Sequence, residues 1–447
     1  MSVVPGNVET DRQPPMAIPL RHFLVALGFL ILGCALGVAV ATDAVSGMAA
    51  LAHVHLLLVG FVCVTIMGAM TQFVPVWSGV SLHSRRLASA QLWLVAVGTL
   101  GFAAGAATGQ TGIVPAFGAL LFAGVWLFAY NLGRTLATLD ALGVTEFHFA
   151  LALGFFALVT TLGLLLAADF HAPVFARLPV TRTAAVGAHA TLAVFGAVLT
   201  TVFGALYQLA TMFTQTELHG ADRYLSRFER VGYPVGVTAL AGGRLVSSAP
   251  LARVGGVLVA VSALAMAAVV ARRLVETRVE RTPMLSRYAV FALAAALWAA
   301  LALPAWLRDP LGPAARFGAP GAVHLLALGV VGFVVVGTLY HVVPFIVWVH
   351  RYSDRLGFED VPMIDDLYDG RLAAADFALL LVGSAAIVAG DWTGAGAAVV
   401  AGGILASVGA VVFGANILLV VVRHSPLPLR SVLLGSLATA GDAERAP

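Results

Sequence analysis

The sequence contains no lysine, only two cysteines and few charged residues of any kind. Charged side chains make up 11% of the 447 residues, and hydrophobic side chains make up 60%. Soluble domains carry about 25% charged residues, so this composition excludes an ordinary soluble protein. All 25 basic residues other than histidine are arginines, which indicates a GC-rich genome more than a function. The small net charge of +3 indicates no nucleic-acid partner.

The scarcity of cysteine also excludes two kinds of site. Cys34 and Cys63 both fall inside apolar runs, and no CxxC or CxxCH motif is present. The sequence therefore supports neither a disulfide framework nor a covalent c-type haem. The first 20 residues contain four prolines and several charges, which is not the pattern of a cleavable signal peptide. We expect the first apolar run to be retained as a helix.

Long apolar runs dominate the chain, and each is close to the length of about 20 residues that spans a bilayer. We predict an all-α integral membrane protein with about twelve transmembrane helices, eleven being possible because the run at 231–248 is short and carries Arg244. The twelve runs lie at roughly 22–42, 50–76, 88–108, 112–133, 148–169, 184–212, 231–248, 252–272, 288–307, 320–349, 372–390 and 394–422.

The arginines predict the orientation of these helices. Most of them fall in the two tails and the even-numbered loops, and short loops rich in positive charge stay in the cytoplasm. We therefore predict cytoplasmic tails at 1–20 and 426–447, with one transmembrane domain at 21–425 between them. The expected location is the cytoplasmic membrane of a prokaryote, with the lipid bilayer as the surrounding partner.

Three of the apolar runs align without a gap. They read "HVHLLLVGFVCVTIMGAMTQFVP" from His53, "HATLAVFGAVLTTVFGALYQLAT" from His189 and "AVHLLALGVVGFVVVGTLYHVVP" from Ala322. Successive copies are 136 and 133 residues apart, or four predicted helices each. Such a repeat predicts three arcs of four helices, at roughly 21–135, 147–272 and 287–422. Glycines recur at two positions of every copy, namely Gly60 and Gly68, Gly196 and Gly204, and Gly329 and Gly337. They either allow close helix packing or leave room for a flat ligand.

Four histidines begin these three segments, and all four lie near the outer face in the predicted orientation. They are His53, His55, His189 and His324. An imidazole within a membrane is costly and usually has a partner, and neutral imidazole is a ligand for iron, copper and zinc. Zinc more typically recruits a carboxylate or thiolate, and the interior of these three helices has no Asp or Glu. The pattern favours a non-covalent, b-type haem.

The second and tenth helices resemble those of subunit I of the haem-copper oxidases. In that family the second helix begins with a His that binds a low-spin haem and continues to Gly, Asn and Pro, which His53, Gly68, Gln72 and Pro75 match with Gln for Asn. The tenth helix of the family carries an H-x-H pair, which reads "AVH" here, so that His324 stands at the low-spin position. The resemblance implies twelve helices in three arcs. It also implies cofactor binding by His53, His324, Gly60, Gly68, Gly329 and Gly337, with His53 and His324 on haem iron.

The departures from this family concern its second metal centre. Ala322 stands where the high-spin haem ligand is expected, and residues 229–250 lack the two adjacent copper-binding histidines of the seventh helix. His189 falls where the sixth helix supplies a copper ligand, but "HATLA" lacks the acid and tyrosine that follow it there. His55 and His189 are therefore candidates for copper or a second haem.

Three functions remain open from the sequence. The first is respiratory-type electron transfer or reduction of dioxygen or nitric oxide, which would make the chain an oxidoreductase. The second is nitric oxide metabolism, because "PVWSGVSLHSRRLASAQLW" resembles the NnrS-type haem- and copper-containing membrane proteins. The third is secondary transport. An amphipathic loop at 350–371 suggests a docking segment for a small respiratory subunit or electron donor. The remaining histidines near helix ends, including His22 and His148, suggest no special role.

Overall fold

The computed structural model describes residues 14–434, and their regular structure is helical, without a β-strand. The long helices are α1 Ala17–Ala41, α2 Ala49–Ser78, α3 Arg85–Ala107, α4 Thr111–Leu136, α5 Val144–Ala168, α6 Arg182–Thr214, α7 Ala221–Leu245, α8 Ala249–Val275, α9 Pro283–Arg308, α10 Leu325–Arg351, α11 Gly370–Thr393 and α12 Gly396–His424. A short helix, α13 Leu429–Leu434, follows. The tail residues 1–13 and 435–447 lie outside the described residues, and α1 begins at Ala17, before the predicted end of the tail at residue 20.

Eleven of these helices are long and apolar enough to cross a membrane, counted over residues 14–434. The exception among the twelve is α7, whose first half carries Asp222, Arg223, Arg227, Glu229 and Arg230. The apolar run predicted at 231–248 is the second half of this longer helix. The prediction of an all-α, multi-pass membrane protein is confirmed, and the count is the lower of the two expected values.

Apolar side chains on the outward faces of the bundle are exposed. Leu158 is 57% exposed, Leu293 72% and Val382 57%, on three different helices. Water would penalise such surfaces, whereas lipid chains do not. These faces are consistent with contact to a bilayer.

The helices pack in a regular order around the bundle. The most extensive contacts join α3 to α4, α7 to α8 and α11 to α12. Further contacts join α4 to α5, α8 to α9 and α12 to α1. Smaller contacts join α5 to α7, α9 to α11 and α1 to α3, so the order closes on itself. Helices α6 and α10 are the most enclosed of the spans. In each, 78% of the apolar stretch of 18 residues is buried inside the protein.

Three π-helical segments interrupt α-helical geometry on the histidine-bearing helices. They are Leu56–Cys63 in α2, Leu192–Leu199 in α6 and Leu325–Gly332 in α10, each of eight residues. Each begins three residues after the first residue of an aligned segment, namely His53, His189 or Ala322. Because π-helices are rare and concentrate at functional sites, their shared position directs attention to the histidines immediately before them.

Candidate functional site

The first turns of α2 and α6 place His53 and His189 in matching surroundings. His53 Nδ1 is 2.8 Å from the carbonyl oxygen of Gly33 in α1, and His189 Nδ1 is 3.0 Å from that of Val159 in α5. Both rings also lie on a glycine of the same neighbouring helix. A Cβ added at Gly37 would lie 2.5 Å from His53 Cε1, and one at Gly163 would lie 2.9 Å from His189 Cε1. Each imidazole is thus held by the helix that precedes its own.

His324, directly before α10, is held differently. Its Nδ1 is 2.6 Å from Oδ2 of Asp391, near the end of α11. His55, in turn, bonds within its own helix, with Nδ1 2.8 Å from the carbonyl oxygen of Leu51, and its ring packs 4.3 Å from that of Phe102.

The four imidazoles fall into two electrostatically coupled pairs. The ring of His53 interacts electrostatically with that of His324, and the ring of His189 interacts with that of His55. We call the end of the bundle that holds these pairs the histidine end. Within residues 14–434 no group of three or more His, Cys, Asp or Glu side chains is placed to hold a metal ion.

The hydrogen bonds determine which ring nitrogen is available to a metal. Carbonyl and carboxylate oxygens only accept, so Nδ1 of each of the four rings carries the proton. No Nε2 among the four has a hydrogen-bond partner in the described part of the chain. A neutral imidazole with Nδ1–H held by an oxygen and Nε2 free is the arrangement found in metal ligands. The donor set therefore fits axial ligation of haem iron and also fits copper.

The glycines predicted to bind a cofactor lie at helix crossings. A Cβ at Gly60 would lie 2.4 Å from Phe29 Cγ, one at Gly68 2.6 Å from His22 Cβ, one at Gly329 2.7 Å from Ala294 Cβ and one at Gly337 3.0 Å from Arg287 Cβ. Close helix packing alone therefore accounts for all four glycines. Their contact with a cofactor stays a prediction.

The opposite end of the bundle contains buried polar clusters that were not predicted. His148 Nε2 lies 3.1 Å from Oε2 of Glu229, and the Tyr207 hydroxyl donates to the same oxygen at 2.8 Å. His148 and Glu229 have no exposed surface. The interpretation of His148 as an unremarkable residue near a helix end is wrong, because α5 begins at Val144 and turns this ring into the core.

A second cluster at that end joins four helices around a carboxylate. Asp376 of α11 accepts hydrogen bonds from Arg287 of α9 and from the Tyr340 hydroxyl of α10. Asn416 of α12 donates to the same hydroxyl at 3.1 Å. All four side chains are buried. A buried ion pair needs such additional hydrogen bonds to offset its desolvation.

The corresponding position of the first four helices is polar but lacks partners. His22 is also fully buried, so the interpretation of this residue as unremarkable is wrong too. Its Nδ1 lies 2.8 Å from the carbonyl oxygen of Ile18, whereas its Nε2 has no partner in the described residues. The side chain of Gln91 is buried and also without a partner among them.

The sequence holds a signal for these residues in the third helix of each predicted arc. A polar residue is followed by glycine seven and fourteen residues later in all three helices: Gln91, Gly98 and Gly105; Glu229, Gly236 and Gly243; Asp376, Gly383 and Gly390. The residue after the last glycine differs, being Ala106, Arg244 or Asp391. Arg244 NH1 donates to the Thr191 hydroxyl at 2.7 Å, two residues after His189. This spacing would have drawn attention to Asp391, which the histidine pattern alone missed.

The loop at 350–371 is partly folded onto the protein. Ile364 and Leu367 are buried, and Trp348 Nε1 donates to the carbonyl oxygen of Pro362 at 2.7 Å. Phe358 is 90% exposed at the tip. A partner for this loop stays a prediction.

Comparison with known proteins found no relative of this chain. No family model matches it, and no curated protein matches it either. The function must therefore be argued from the histidine end itself.

Proposed function

We propose that this chain is a haem-binding membrane protein in which His53 and His324 would hold the iron of one b-type haem. The protein carries electrons or reduces a diatomic gas, dioxygen or nitric oxide. The single observation that carries the proposal is the state of the imidazoles. Each has Nδ1 held by an oxygen and Nε2 without a partner in residues 14–434.

The pairing of the rings supports these two ligands in particular. His53 and His324 belong to different helices, 271 residues apart in the sequence, yet they interact with each other. None of the four Nε2 atoms is among the fully buried atoms without partners in residues 14–434, so each is accessible to a ligand. Iron bound by two imidazoles supplies one-electron chemistry. The chain's own residues orient the rings and keep Nε2 deprotonated.

The threefold arrangement of four-helix arcs is part of the same proposal. Three observations support it: the cyclic order of helix contacts, the shared start of the three π-helical segments, and the recurring contact of each second-helix glycine with the first helix of its arc. In that last set, Gly68 meets His22, Gly204 meets His148 and Gly337 meets Arg287. With three arcs, the two histidine pairs lie at junctions between arcs.

The pair formed by His55 and His189 favours a second metal. Both Nδ1 atoms are engaged and both rings are half-buried, as at the proposed haem pair. Copper or a second haem at this pair would place the chain nearer to haem- and copper-containing proteins of nitric oxide metabolism. Secondary transport gains no comparable support, because these histidines lie near helix ends rather than near the middle of the bundle.

An optical spectrum of the protein purified from a haem-sufficient host tests the proposal. We expect reduced-minus-oxidised haem bands in the wild type and their loss in His53→Ala and in His324→Ala. Their persistence in both variants would contradict the ligand assignment, and a wild type without haem would remove the proposal altogether.

His171→Ala is the matched control, because His171 is an exposed histidine in a loop after α5 and belongs to neither pair. His55→Ala should also keep the haem bands. Copper analysis of His55→Ala and His189→Ala then tests the second pair, since bound copper should fall in both variants and not in His171→Ala.

A further inference from the structure

Asp391 occupies an unfavourable place for a carboxylate. It is the third residue from the end of α11, where the helix dipole disfavours negative charge by about 0.3–1 kcal/mol. Its side chain is 18% exposed, and the only basic side chain it contacts in residues 14–434 is the imidazole of His324. No arginine offsets the charge within that part of the chain. Because the end of the helix disfavours this negative charge, we expect Asp391 to be present for its contact with His324.

The equivalent position in the other two arcs shows that the fold does not require an acid there. Fifteen residues after the polar residue of the third helix stand Ala106, Arg244 and Asp391. Arg244 is the cation that the end of a helix favours, and it binds Thr191 and three backbone carbonyls. The first arc has an alanine, Ala106, at this position. Packing alone therefore does not explain Asp391.

The local backbone holds Asp391 against His324. Gly321 has a positive φ of 74°, and a Cβ there would lie 3.0 Å from Cδ1 of Trp392. The segment entering α10 is thus packed directly on the end of α11. The carboxylate and the imidazole are brought together by this contact and not by a flexible side chain alone.

The two proposed haem ligands have different hydrogen-bond acceptors at Nδ1. His53 donates Nδ1–H to a neutral carbonyl of Gly33, whereas His324 donates to a carboxylate. A carboxylate partner raises the basicity of a metal-bound imidazole. A more basic ligand stabilises the more highly charged, ferric state of iron.

We propose that Asp391 is a positioning residue that makes His324 the more electron-donating of the two ligands and lowers the reduction potential of the haem. This inference rests on the proposed function, since it concerns the iron that His53 and His324 would share. The negative charge next to the proposed haem ligands would then come from Asp391, which lies outside the histidine-bearing segments. The reducing power of the haem would then depend on α11 as well as on α2 and α10.

The test compares Asp391→Asn with the wild type. An Asn oxygen still accepts the Nδ1–H bond, so the ring keeps its orientation while the charge is lost. We expect haem content to be unchanged, the midpoint potential from a redox titration to move to a more positive value, and the electron paramagnetic resonance g-values of the ferric haem to change. Asp391→Ala, which also removes the hydrogen bond, should weaken haem binding about 10-fold or more.

Asp43→Asn is the matched control, because Asp43 is exposed in the turn after α1, its side chain contacts no histidine, and Asn tolerates its positive φ of 54°. If Asp391→Asn does not fold, Asp391→Ser provides a second neutral variant. Haem in the wild type with the same potential in the folded neutral variant would overturn the role of Asp391 alone. Absence of haem from the wild type would overturn the proposed function and this inference together.

Discussion

The two ends of the bundle differ in how most of their polar side chains are paired, although His22 and Gln91 at the opposite end also lack partners in residues 14–434. At the histidine end, four half-buried imidazoles each keep one nitrogen without a partner in the described residues. At the opposite end, His148, Glu229 and Tyr207 satisfy one another, as do Arg287, Asp376 and Tyr340. Polar groups that the protein itself satisfies contribute to the fold, whereas groups left open are available to a ligand. We therefore expect substitutions at the opposite end to lower stability, and those at the histidine end to remove bound metal.

The largest effect on stability is expected from Asp376→Ala. This change leaves Arg287 buried without its carboxylate, and breaking a buried ion pair in this way costs about 3–5 kcal/mol. Unfolding of the detergent-solubilised protein by sodium dodecyl sulfate, followed by tryptophan fluorescence, measures the free energy of unfolding. The fraction that stays folded should retain its haem.

Asp360→Ala is the control for this prediction, because Asp360 is an exposed acid in the loop between α10 and α11. The contrast between the ends would be wrong if Asp376→Ala unfolded no more readily than Asp360→Ala. It would also be wrong if the folded fraction of Asp376→Ala lost its haem.

A smaller effect is expected from Glu229→Gln. The neutral amide can still accept from the Tyr207 hydroxyl and donate to His148 Nε2, so charge-assisted bonds are replaced by neutral ones rather than lost. The expected cost is about 1 kcal/mol. The same unfolding measurement, with the exposed Glu280→Gln as control, checks it. A loss as large as that of Asp376→Ala would show that the charge of Glu229 is itself required.

The smallest effect on stability is expected from His189→Ala in the protein without metal. The variant loses one hydrogen bond to Val159, worth about 0.5–1.5 kcal/mol, from a ring that is only half-buried. His171→Ala again serves as the control. If removal of the His189 ring destabilised the metal-free protein by several kcal/mol, this histidine would be a structural residue like His148, and the distinction between the ends would fail.

Much of the fold could be predicted because membrane helices depend on simple local properties. Apolar runs of sufficient length predicted eleven of the long helices. The run at 231–248 was the doubtful one because it is short and carries Arg244, and the structure adds that charged residues fill the first half of α7. The alignment from His53, His189 and Ala322 predicts equivalent places along α2, α6 and α10, and the π-helical segment of each of these helices begins three residues after those positions.

The candidate site could be predicted only in part. The histidines were recognisable because an imidazole stands out in an apolar segment. Asp391 was not, since its importance depends on the end of α11 lying against the start of α10, 67 residues earlier. The burial of His148 was missed for the same reason, because a position near a helix end is exposed or buried according to its neighbours.

The sequence by itself determined that this protein is a bundle of membrane helices with imidazoles at one end, because composition and helical period act within each segment. Only the tertiary structure decided which oxygen holds each Nδ1, which imidazoles influence one another electrostatically, and which acids meet Arg287 and His148. Those outcomes depend on contacts between helices far apart in the chain. Hydrogen bonding acts over about 3 Å, so it is decided only once the helices have packed.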